Sequence, residues 1–241
     1  MLCLSATHHL ICSNSNLSYT TIINRENLLK EVTYIEHIKT RRTYSQIEQD
    51  IMVEKFFNKK MGGYFLDVGA YDGETLSNTY MLERMYGWNG ICIEPLPDKF
   101  TLCNAIRRAK CYNYAVYNEN DKKLSFIKAD VLSGIASDID CHKHILNNEQ
   151  IEVTTKTLTY ILEDAQAPTY IDYMSLDTEG SEFEILKNID FSKYTIGYID
   201  IEHNYIEPRR TQMRDFLLSK GYIYKAENRW DDIYIHNSIY I

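Results

Sequence analysis

The sequence predicts an α/β fold on a mostly parallel sheet, preceded by a short N-terminal helical lead-in. From residue 62 onward, apolar segments of strand length alternate with helical segments, a pattern typical of parallel strands covered on both faces. A turn containing two glycines joins the first of these strands to the first helix. The last two strand-like segments have no helix between them, so we expect the final strand to be antiparallel.

Each element is predicted from its local pattern. Ser45 and Glu48 have the spacing of a capping box, which predicts a helix over residues 45–58. The strands predicted after it are Tyr64–Val68, Gly90–Glu94, Cys111–Tyr117, Tyr170–Leu176 and Tyr194–Ile201. The helices predicted between and after them are Glu74–Tyr86, Pro97–Arg108, Thr157–Asp164, Ser181–Asn188 and Pro208–Ser219. Two hairpins are also expected: an inserted one from Lys123–Lys128 and Ile151–Thr155, and a closing one from Tyr222–Ala226 and Asp232–His236. Residues 129–150, between the strands of the inserted hairpin, are polar and expected to be loop.

Composition and charge restrict the classes of function. The chain has 241 residues, of which 44% are hydrophobic and 25% charged, as is usual for a globular protein. Its net charge of −8, without a basic stripe, argues against a nucleic-acid partner. We expect residues 1–44 to form an N-terminal arm and residues 45–241 a single domain. No apolar run approaches the roughly 20 residues of a membrane span, and no signal peptide is evident, so a cytoplasmic location is expected.

The cysteines also bear on the cellular compartment and on metal binding. The chain has six of them. They are Cys3, Cys12, Cys92, Cys103, Cys111 and Cys141. None is in a CxxC pair, which argues against a zinc knuckle or a dithiol redox pair and favours a reducing compartment.

The clearest motif is the turn after the first strand. It reads Asp67-Val68-Gly69-Ala70-Tyr71-Asp72-Gly73. The glycines let the backbone turn sharply and approach a ligand closely. Glu94 follows about 20 residues later, at the end of the next strand, where an acidic side chain holds a ribose diol. The third glycine of the dinucleotide fingerprint is missing, and the two aspartates disfavour a pyrophosphate. A ligand with a cationic amino group and no phosphate, such as S-adenosylmethionine, fits better. A tight turn without a ligand is the alternative.

Several ordered motifs resemble the FkbM family of methyltransferases over about residues 45–236. They are Ser45-Gln46 with Asp50, the turn at residues 67–73, Ser77-Asn78-Thr79, residues 87–95, Leu176 to Glu182, and Ile201-Glu202-His203-Asn204. The resemblance implies a Rossmann-like class I methyltransferase fold that ends in an antiparallel strand. It also implies O-methylation, commonly of sugar or polyketide hydroxyls, without identifying the acceptor.

The cofactor site is expected to draw on several segments. The predicted cofactor-binding residues are Gln46, Asp67, Gly69, Ala70, Asp72, Gly73, Glu94 and Ser133. Gln46 is expected to approach the cofactor from the N-terminal helix, although a helix that simply covers the sheet edge explains this residue almost as well. Ser133 is expected to pass near the adenine.

Two strand ends carry the side chains expected to do the chemistry. Asp177 follows one strand, and Glu202 and His203 follow another, so in a doubly wound sheet all three lie at the carboxyl edge. Methyl transfer from a sulfonium requires alignment and removal of the acceptor's proton, so we predict these three as catalytic residues. Their placement also resembles the metal site of other class I O-methyltransferases, which predicts Mg²⁺ or Mn²⁺ bound by the same three residues. A metal-free site with Glu202 or His203 as the base would have the same sequence.

The predicted function is therefore an S-adenosylmethionine-dependent O-methyltransferase acting on a hydroxyl of a sugar or glycan. One alternative is an inactive binding or scaffold protein with this fold, which intact carboxylates argue against. A second is a nicotinamide-dependent oxidoreductase, which the missing glycine argues against. For the site itself, the alternative is that Asp177 and Glu179 merely cap the helix that begins near Ser181.

Overall fold

The computed structural model describes residues 43–139 and 141–239. The N-terminal arm predicted for residues 1–44 therefore lies almost wholly outside the described residues. The strands are β1 Tyr64–Val68, β2 Asn89–Ile93, β3 Lys110–Tyr112, β4 Ala115–Val116, β5 Lys123–Ile127, β6 Gly134–Ile135, β7 Gln150–Lys156, β8 Tyr170–Leu176, β9 Thr195–Glu202, β10 Tyr222–Asn228 and β11 Asp231–His236. The α-helices are α1 Gln49–Phe56, α2 Tyr80–Tyr86, α3 Pro97–Ile106, α4 Leu158–Asp164, α5 Glu182–Lys187 and α6 Arg209–Ser219. Short 3-10 helices are formed by Asp130–Leu132, Lys143–Asn147 and Asn237–Ile239.

The main sheet has seven strands in the order β10-β11-β9-β8-β1-β2-β3. The pairs from β9 to β3 are all parallel, whereas β11 is antiparallel to both β9 and β10. The predicted mostly parallel sheet with an antiparallel last strand is therefore confirmed. That last strand does not lie at the edge but is inserted between β9 and β10.

The core lies on both faces of this sheet. Neighbouring residues on β1, such as Phe65 and Leu66, point to opposite faces and are both fully buried. Helix α4 covers part of one face with Ile161 and Leu162, and Thr157 is its N-cap, because the Thr157 hydroxyl accepts a hydrogen bond from the Tyr160 N–H. Within residues 43–139 and 141–239, no helix combines the length and the apolar character that crossing a bilayer requires.

A second sheet of four strands, in the order β4-β7-β5-β6, contains the inserted hairpin. β5 and β7 pair antiparallel, as predicted. The predicted loop over residues 129–150 also holds β6 and two of the 3-10 helices. The single strand predicted over residues 111–117 is wrong, because the chain passes there from the first sheet to the second. Asn113, at the crossing, donates hydrogen bonds to the carbonyls of Glu94 and Pro95.

Two predicted helix starts are wrong for the same physical reason, namely that serine and threonine side chains bond a buried carboxylate and hold the preceding residues out of the helix. The helix predicted from Glu74 begins only at Tyr80, because Ser77 and Thr79 bond the buried Asp67. The capping box at Ser45 does not form. The Ser45 hydroxyl donates to the Asp50 carboxylate, and α1 begins at Gln49.

Candidate active site

A cavity of about 300 Å³ opens at the carboxyl ends of the parallel strands. The predicted site residues that line it are Gln46, Asp67, Gly69, Ala70, Glu94, Ser133, Asp177 and Glu202. Asp72, Gly73 and His203, which were predicted with them, lie outside its wall. The cavity is thus built where the topology of an open α/β sheet places ligands.

Gly69 lies where the ends of β1 and β8 come closest together. Its φ is +99°, and a Cβ added there would lie 1.9 Å from the carbonyl oxygen of Asp177. The N–H groups of Gly69 and Ala70 both donate to the Ile93 carbonyl at 3.0 Å, which ties the turn to β2. Only glycine fits this position, since it alone combines the required backbone angle with the close approach.

Glu94 is held rigidly in the cavity wall. One of its carboxylate oxygens accepts the Leu96 N–H at 2.8 Å, and the other accepts the Tyr71 N–H at 2.9 Å. Burial raises the pKa of Glu94 to about 7, although the two N–H donors oppose that rise. Each oxygen keeps a further acceptor position, so the carboxylate is suited to accept hydrogen bonds from a diol.

The wall next to Glu94 is apolar. Leu96, whose N–H binds the Glu94 carboxylate, packs in one cluster with Ala115, Phe126 and Ile135. The last three of these line the cavity. An acidic group beside an apolar slot matches the chemistry of a ribose joined to a purine, so these residues fit the adenosine part of the expected cofactor.

Asp67 is buried and is held from inside the protein. Its Oδ2 accepts a hydrogen bond from the Thr79 hydroxyl at 2.5 Å and lies 3.7 Å from the Arg107 guanidinium. Burial raises the pKa of Asp67, and the Arg107 charge opposes this.

Asn78, next to Thr79, has an amide oxygen that is free to bind a ligand. Its amide N–H donates to Ser175 at 2.8 Å, while its Oδ1 is buried on the cavity wall with no hydrogen-bond partner among the described residues. That oxygen can accept a hydrogen bond from a ligand's ammonium group.

Asp72 and Gly73 shape the turn from outside the cavity. The Asp72 carboxylate accepts the backbone N–H groups of Glu74 and Thr75 at 3.0 and 2.7 Å. Gly73 has a φ of +87°, and a Cβ there would lie 3.0 Å from Cys103. These contacts give both residues a structural task, and their predicted direct contact with a cofactor has no support in this geometry.

Three carboxylates meet at the ends of β8 and β9. One oxygen each from Asp177, Glu179 and Glu202 lies within 4.8 Å of the others. Asp177 lines the cavity and is exposed there, whereas Glu179 and Glu202 are buried. The Glu202 Oε2 is buried without a hydrogen-bond partner among the described residues. Such an orphaned acceptor is unfavourable unless a proton, a metal ion or a substrate donor occupies it.

The carboxyl groups of Asp177 and Glu202 form a coupled pair with raised pKa values. Loss of hydration against the cavity wall raises the pKa of Asp177 to about 7, and the charges of Asp231 and Glu182 add to the rise, while a hydrogen bond with Glu202 opposes it. Burial likewise raises the pKa of Glu202 well above its usual range, with the neighbouring charge of Asp177 as the next cause. Two carboxyl groups this close cannot both ionise readily, so the pair behaves as a single titrating unit.

The capping alternative for Asp177 and Glu179 finds no support, because the N-cap of α5 is Ser181, which makes no side-chain cap hydrogen bond. The carboxylate of Glu182, the first residue of α5, accepts the N–H groups of Thr178 and Gly180, which precede the helix, at 2.9 and 3.0 Å. Glu179, with a φ of +59°, turns its side chain into the acidic cluster. No local pattern indicates this contribution, since a left-handed residue after a strand breaks the regular alternation of side chains.

The His203 ring lies apart from this cluster. Its Nδ1 accepts the Tyr205 N–H at 2.9 Å, and its Nε2 lies 3.6 Å from Asp232. Burial lowers the pKa of His203. Successive side chains at a strand end point to opposite sides, so Glu202 facing the cavity directs its neighbour away from it.

Other cavity residues were missed because only the tertiary structure brings them there. The Gln49 amide donates to Asp231 at 2.9 Å and accepts the Ile47 N–H, so this glutamine joins α1 to β11 while lining the cavity. Trp230, from the turn before β11, lines the cavity as well. Its carbonyl accepts the His203 N–H at 2.8 Å, which holds it beside the end of β9.

The raised carboxyl pKa values predict how stability depends on pH. A carboxyl whose pKa is higher folded than unfolded favours the folded state at low pH, and this contribution is lost as pH rises through the folded value. We therefore expect the double variant Asp177→Asn, Glu202→Gln to melt at a higher temperature than the wild type, by a margin that widens between about pH 5 and pH 8. Calorimetry without ligand or metal at several pH values measures this margin. The histidines are the same in both proteins, so they cannot produce a difference between them. A melting-temperature margin that did not change with pH would contradict the raised pKa values of Asp177 and Glu202.

Comparisons with known proteins were made for the whole chain. The family model "Methyltransferase FkbM domain" matches residues 67–224, and no curated protein was found to match. Similar solved structures include an FkbM methyltransferase from Methylobacillus flagellatus KT, with 10% identity and a TM-score of 0.45 over 92% of this chain and 63% of that one. They also include precorrin-6y C5,15-methyltransferase from Geobacter metallireducens GS-15, with 12% identity and a TM-score of 0.42 over 81% of this chain and 90% of that one. A third is the N-terminal domain of human METTL16 in complex with SAH, with 11% identity and a TM-score of 0.41 over 76% and 66% of the two chains.

The chain spans less than two thirds of the length of the Methylobacillus protein. The family match, in contrast, covers more than half of this chain and runs from Asp67 in β1 to Tyr224 in β10, so it includes Glu94, Asp177 and Glu202. The resemblance seen in the sequence motifs is thereby confirmed, and the chain belongs to the FkbM family of methyltransferases.

Proposed function

We propose that this protein transfers a methyl group from S-adenosylmethionine to a hydroxyl of a sugar or glycan. The observation that carries the proposal is the pairing of Asp177 with Glu202 at adjacent strand ends, where Glu202 has a buried oxygen without a partner. An inactive scaffold has no need for such a pair, because buried carboxylates without partners destabilise a fold.

The proposed cofactor site divides into two parts. Glu94 would accept the ribose hydroxyls, and the wall of Ala115, Phe126 and Ile135 would cover the adenine. The orphaned Asn78 Oδ1 would accept from the ammonium of the amino-acid part. When bound, S-adenosylmethionine supplies a methyl group already activated on a sulfonium, so the protein's own residues need only align the acceptor and remove its proton.

We assign the proton-accepting role to the Asp177–Glu202 pair. The acceptor oxygen forms a bond to the methyl carbon as the carbon–sulfur bond breaks, and the hydroxyl proton passes to the carboxylate. Because the pKa values of both groups are raised, the pair can accept this proton only in a form in which at least one carboxyl group is ionised. We assign His203 no catalytic role, because its ring contacts Tyr205 and Asp232 instead of the cavity.

The same carboxylates fit a divalent cation. Asp177, Glu179 and Glu202 offer only oxygen ligands, as Mg²⁺ and Mn²⁺ prefer. We propose Glu179 as the third ligand in place of His203. A cation there would lower the pKa values of the pair and polarise the acceptor hydroxyl. Without one, Glu202 alone would serve as the base.

A sugar acceptor is favoured by what lies beside the acidic pair. Trp230 lines the cavity next to the end of β9, and its ring offers an apolar face on which the C–H groups of a sugar ring can pack. Gln46 and Asn204, which line the same cavity, can hydrogen-bond to hydroxyls. An aromatic face with uncharged and acidic acceptors around it suits a neutral polyol better than an anionic substrate.

Titration calorimetry tests this proposal. The full chain is titrated with S-adenosylmethionine and S-adenosylhomocysteine, first with EDTA and then with Mg²⁺ or Mn²⁺. Affinity of roughly micromolar strength, about −8 kcal/mol, is expected for both ligands. Transfer of a labelled methyl group to a panel of mono- and oligosaccharides then tests the acceptor. Absence of binding under every condition would overturn the proposal, and binding without transfer to any sugar would overturn the acceptor class.

Replacing Glu94 tests the ribose contact. In Glu94→Gln, an amide N–H₂ would face one of the two backbone N–H donors, and an acceptor for the diol is lost. We expect binding of S-adenosylhomocysteine to weaken by about 10- to 100-fold, roughly 1.5–3 kcal/mol. Glu119→Gln is the matched control, because Glu119 is exposed and forms its ion pair with Lys122 on the surface. Equal affinity in both variants would remove Glu94 from the cofactor site.

A further inference from the structure

Three cysteines from consecutive elements, β2, α3 and β3, come together beneath the turn that follows β1. Cys92 on β2 and Cys111 on β3 are direct partners in the parallel ladder, so their side chains project from the same face of the sheet. Cys103, from helix α3, covers that face. The three sulfur atoms all lie within 4.8 Å of one another, and those of Cys103 and Cys111 are 3.7 Å apart.

Without a metal, the cluster favours one ionised thiol, because hydrogen bonds from Cys103 and Cys92 lower the pKa of Cys111 while the pKa values of Cys92 and Cys103 are raised. Cys92 and Cys103 are each 1% exposed, whereas Cys111 is only partly buried and gives access from solvent. Burial raises the pKa of the Cys92 thiol, and the positive charge of the buried Arg107 acts in the opposite sense. All three are free thiols, so each can ligate a metal on losing its proton.

We propose that Cys92, Cys103 and Cys111 form a binding site for a thiophilic divalent metal ion of the Zn²⁺ class. Sulfurs bound to one Zn²⁺ at about 2.3 Å stand roughly 3.8 Å apart in a tetrahedral arrangement, close to the spacing of the Cys103–Cys111 pair. The other sulfur distances are at most 4.8 Å, so ligation needs only a small inward shift of Cys92. Water or a small thiol would take the fourth position, with Cys111 as the partly exposed ligand.

Charge favours a divalent over a monovalent ion. Three thiolates with Zn²⁺ carry one negative charge, whereas with Cu⁺ they carry two. The carboxylates of Asp67 and Glu83 next to the site are already paired with Arg107 and Arg84, so a second added negative charge would have no cation beside it among the described residues and is unfavourable in this buried position. Ligation releases up to three protons, and the affinity therefore falls as the pH is lowered.

The cysteine site also contacts the turn at residues 67–73, through Gly73. A Cβ at Gly73 would lie 3.0 Å from the Cys103 Sγ, and Arg107 donates to the Gly73 carbonyl at 3.0 Å. A metal bound to the three cysteines would join β2, β3 and α3 into one unit directly under this glycine. Its expected task is structural, because none of the three cysteines lines the cavity.

Cadmium provides the most direct test, because thiolate ligation gives an ultraviolet charge-transfer band that carboxylates do not give. The full chain is freed of metal with EDTA, kept reduced with a phosphine, and titrated with Cd²⁺. We place the test in an Asp177→Asn, Glu202→Gln background, so that the acidic cluster adds no binding. One Cd²⁺ per cluster with this band is expected, and so is a higher melting temperature with Zn²⁺.

Variants then identify the ligands. Cys103→Ser and Cys111→Ser are each expected to weaken Cd²⁺ binding by at least about 100-fold. Cys141→Ser is the matched control, because Cys141 is exposed and outside the cluster. For a variant that does not fold, alkylation of the wild type with mass-spectrometric mapping gives the same information, since Zn²⁺ should protect Cys103 and Cys111 but not Cys141. No thiolate band in the parent chain, an unchanged band in Cys103→Ser, or equal protection of Cys141 would each overturn the proposal.

Discussion

Replacing Glu202 with glutamine is expected to reduce methyl transfer by about a thousandfold while leaving S-adenosylhomocysteine affinity within a factor of about two. Glutamine keeps the size of the side chain but cannot take up a proton or hold a divalent cation as a carboxylate does. The cofactor contacts proposed for Glu94 and Asn78 are untouched by this change. Single-turnover transfer of a labelled methyl group, measured beside calorimetric titration of the cofactor product, separates the two effects.

Asp177→Asn should behave in the same way, because its carboxylate is the other half of the pair. Glu152→Gln is the matched control, since Glu152 is exposed on β7 and pairs only with Lys123 at 3.6 Å. A loss of cofactor affinity in Glu202→Gln that accounts for the whole loss of turnover would contradict the assignment. Excess Mn²⁺ that restores part of the activity of Asp177→Asn would indicate that the residue acts as a metal ligand.

Gly69→Ala is expected to destabilise the fold by about 3–5 kcal/mol and to remove measurable cofactor binding. The added methyl group would lie 1.9 Å from the Asp177 carbonyl oxygen, and that atom belongs to the backbone and cannot rotate away. Relief requires the ends of β1 and β8 to separate, which moves Asp177 itself. Urea denaturation gives the free energy of unfolding, and titration with S-adenosylhomocysteine gives the binding.

Gly62→Ala separates the two causes of that effect. Gly62 also has a positive φ, +68°, but a Cβ there meets nothing within 4 Å. It should therefore show only the conformational cost of about 1 kcal/mol. If the two variants lost equal stability, the close approach of the strand ends would not be the reason for glycine at position 69.

The sequence predicted the sheet well because its signals are local. The bounds of β1 and β8 are those expected, since each is a short apolar run between clear breaks. The helix before Tyr80 was predicted too long, because nothing in the local pattern indicates that Ser77 and Thr79 bond Asp67 across the turn. Likewise, no local signal shows that the chain changes sheets near Asn113.

The same difference between local and tertiary signals decides which site residues could be predicted. The strand-end rule brought Asp177 and Glu202 together correctly in space, because it depends only on the order of the strands. It did not find Glu179, whose backbone is left-handed, and it included His203, although alternation at a strand end turns that ring away. The cysteine cluster escaped a search for sequence spacing because its members come from two strands and a helix.

The position of β11 has a consequence for how the protein is made. β9 and β10 are both synthesised before β11. In the finished sheet they do not pair with each other, because β11 lies between them. Until residues 231–236 have left the ribosome and folded, β9 presents a bare hydrogen-bonding edge and β10 has no partner in the sheet. Asp231, which receives the Gln49 amide, arrives only with that strand. The newly made chain can therefore pair the five strands from β9 to β3 first, while β10 and the contact of α1 with β11 wait for six residues.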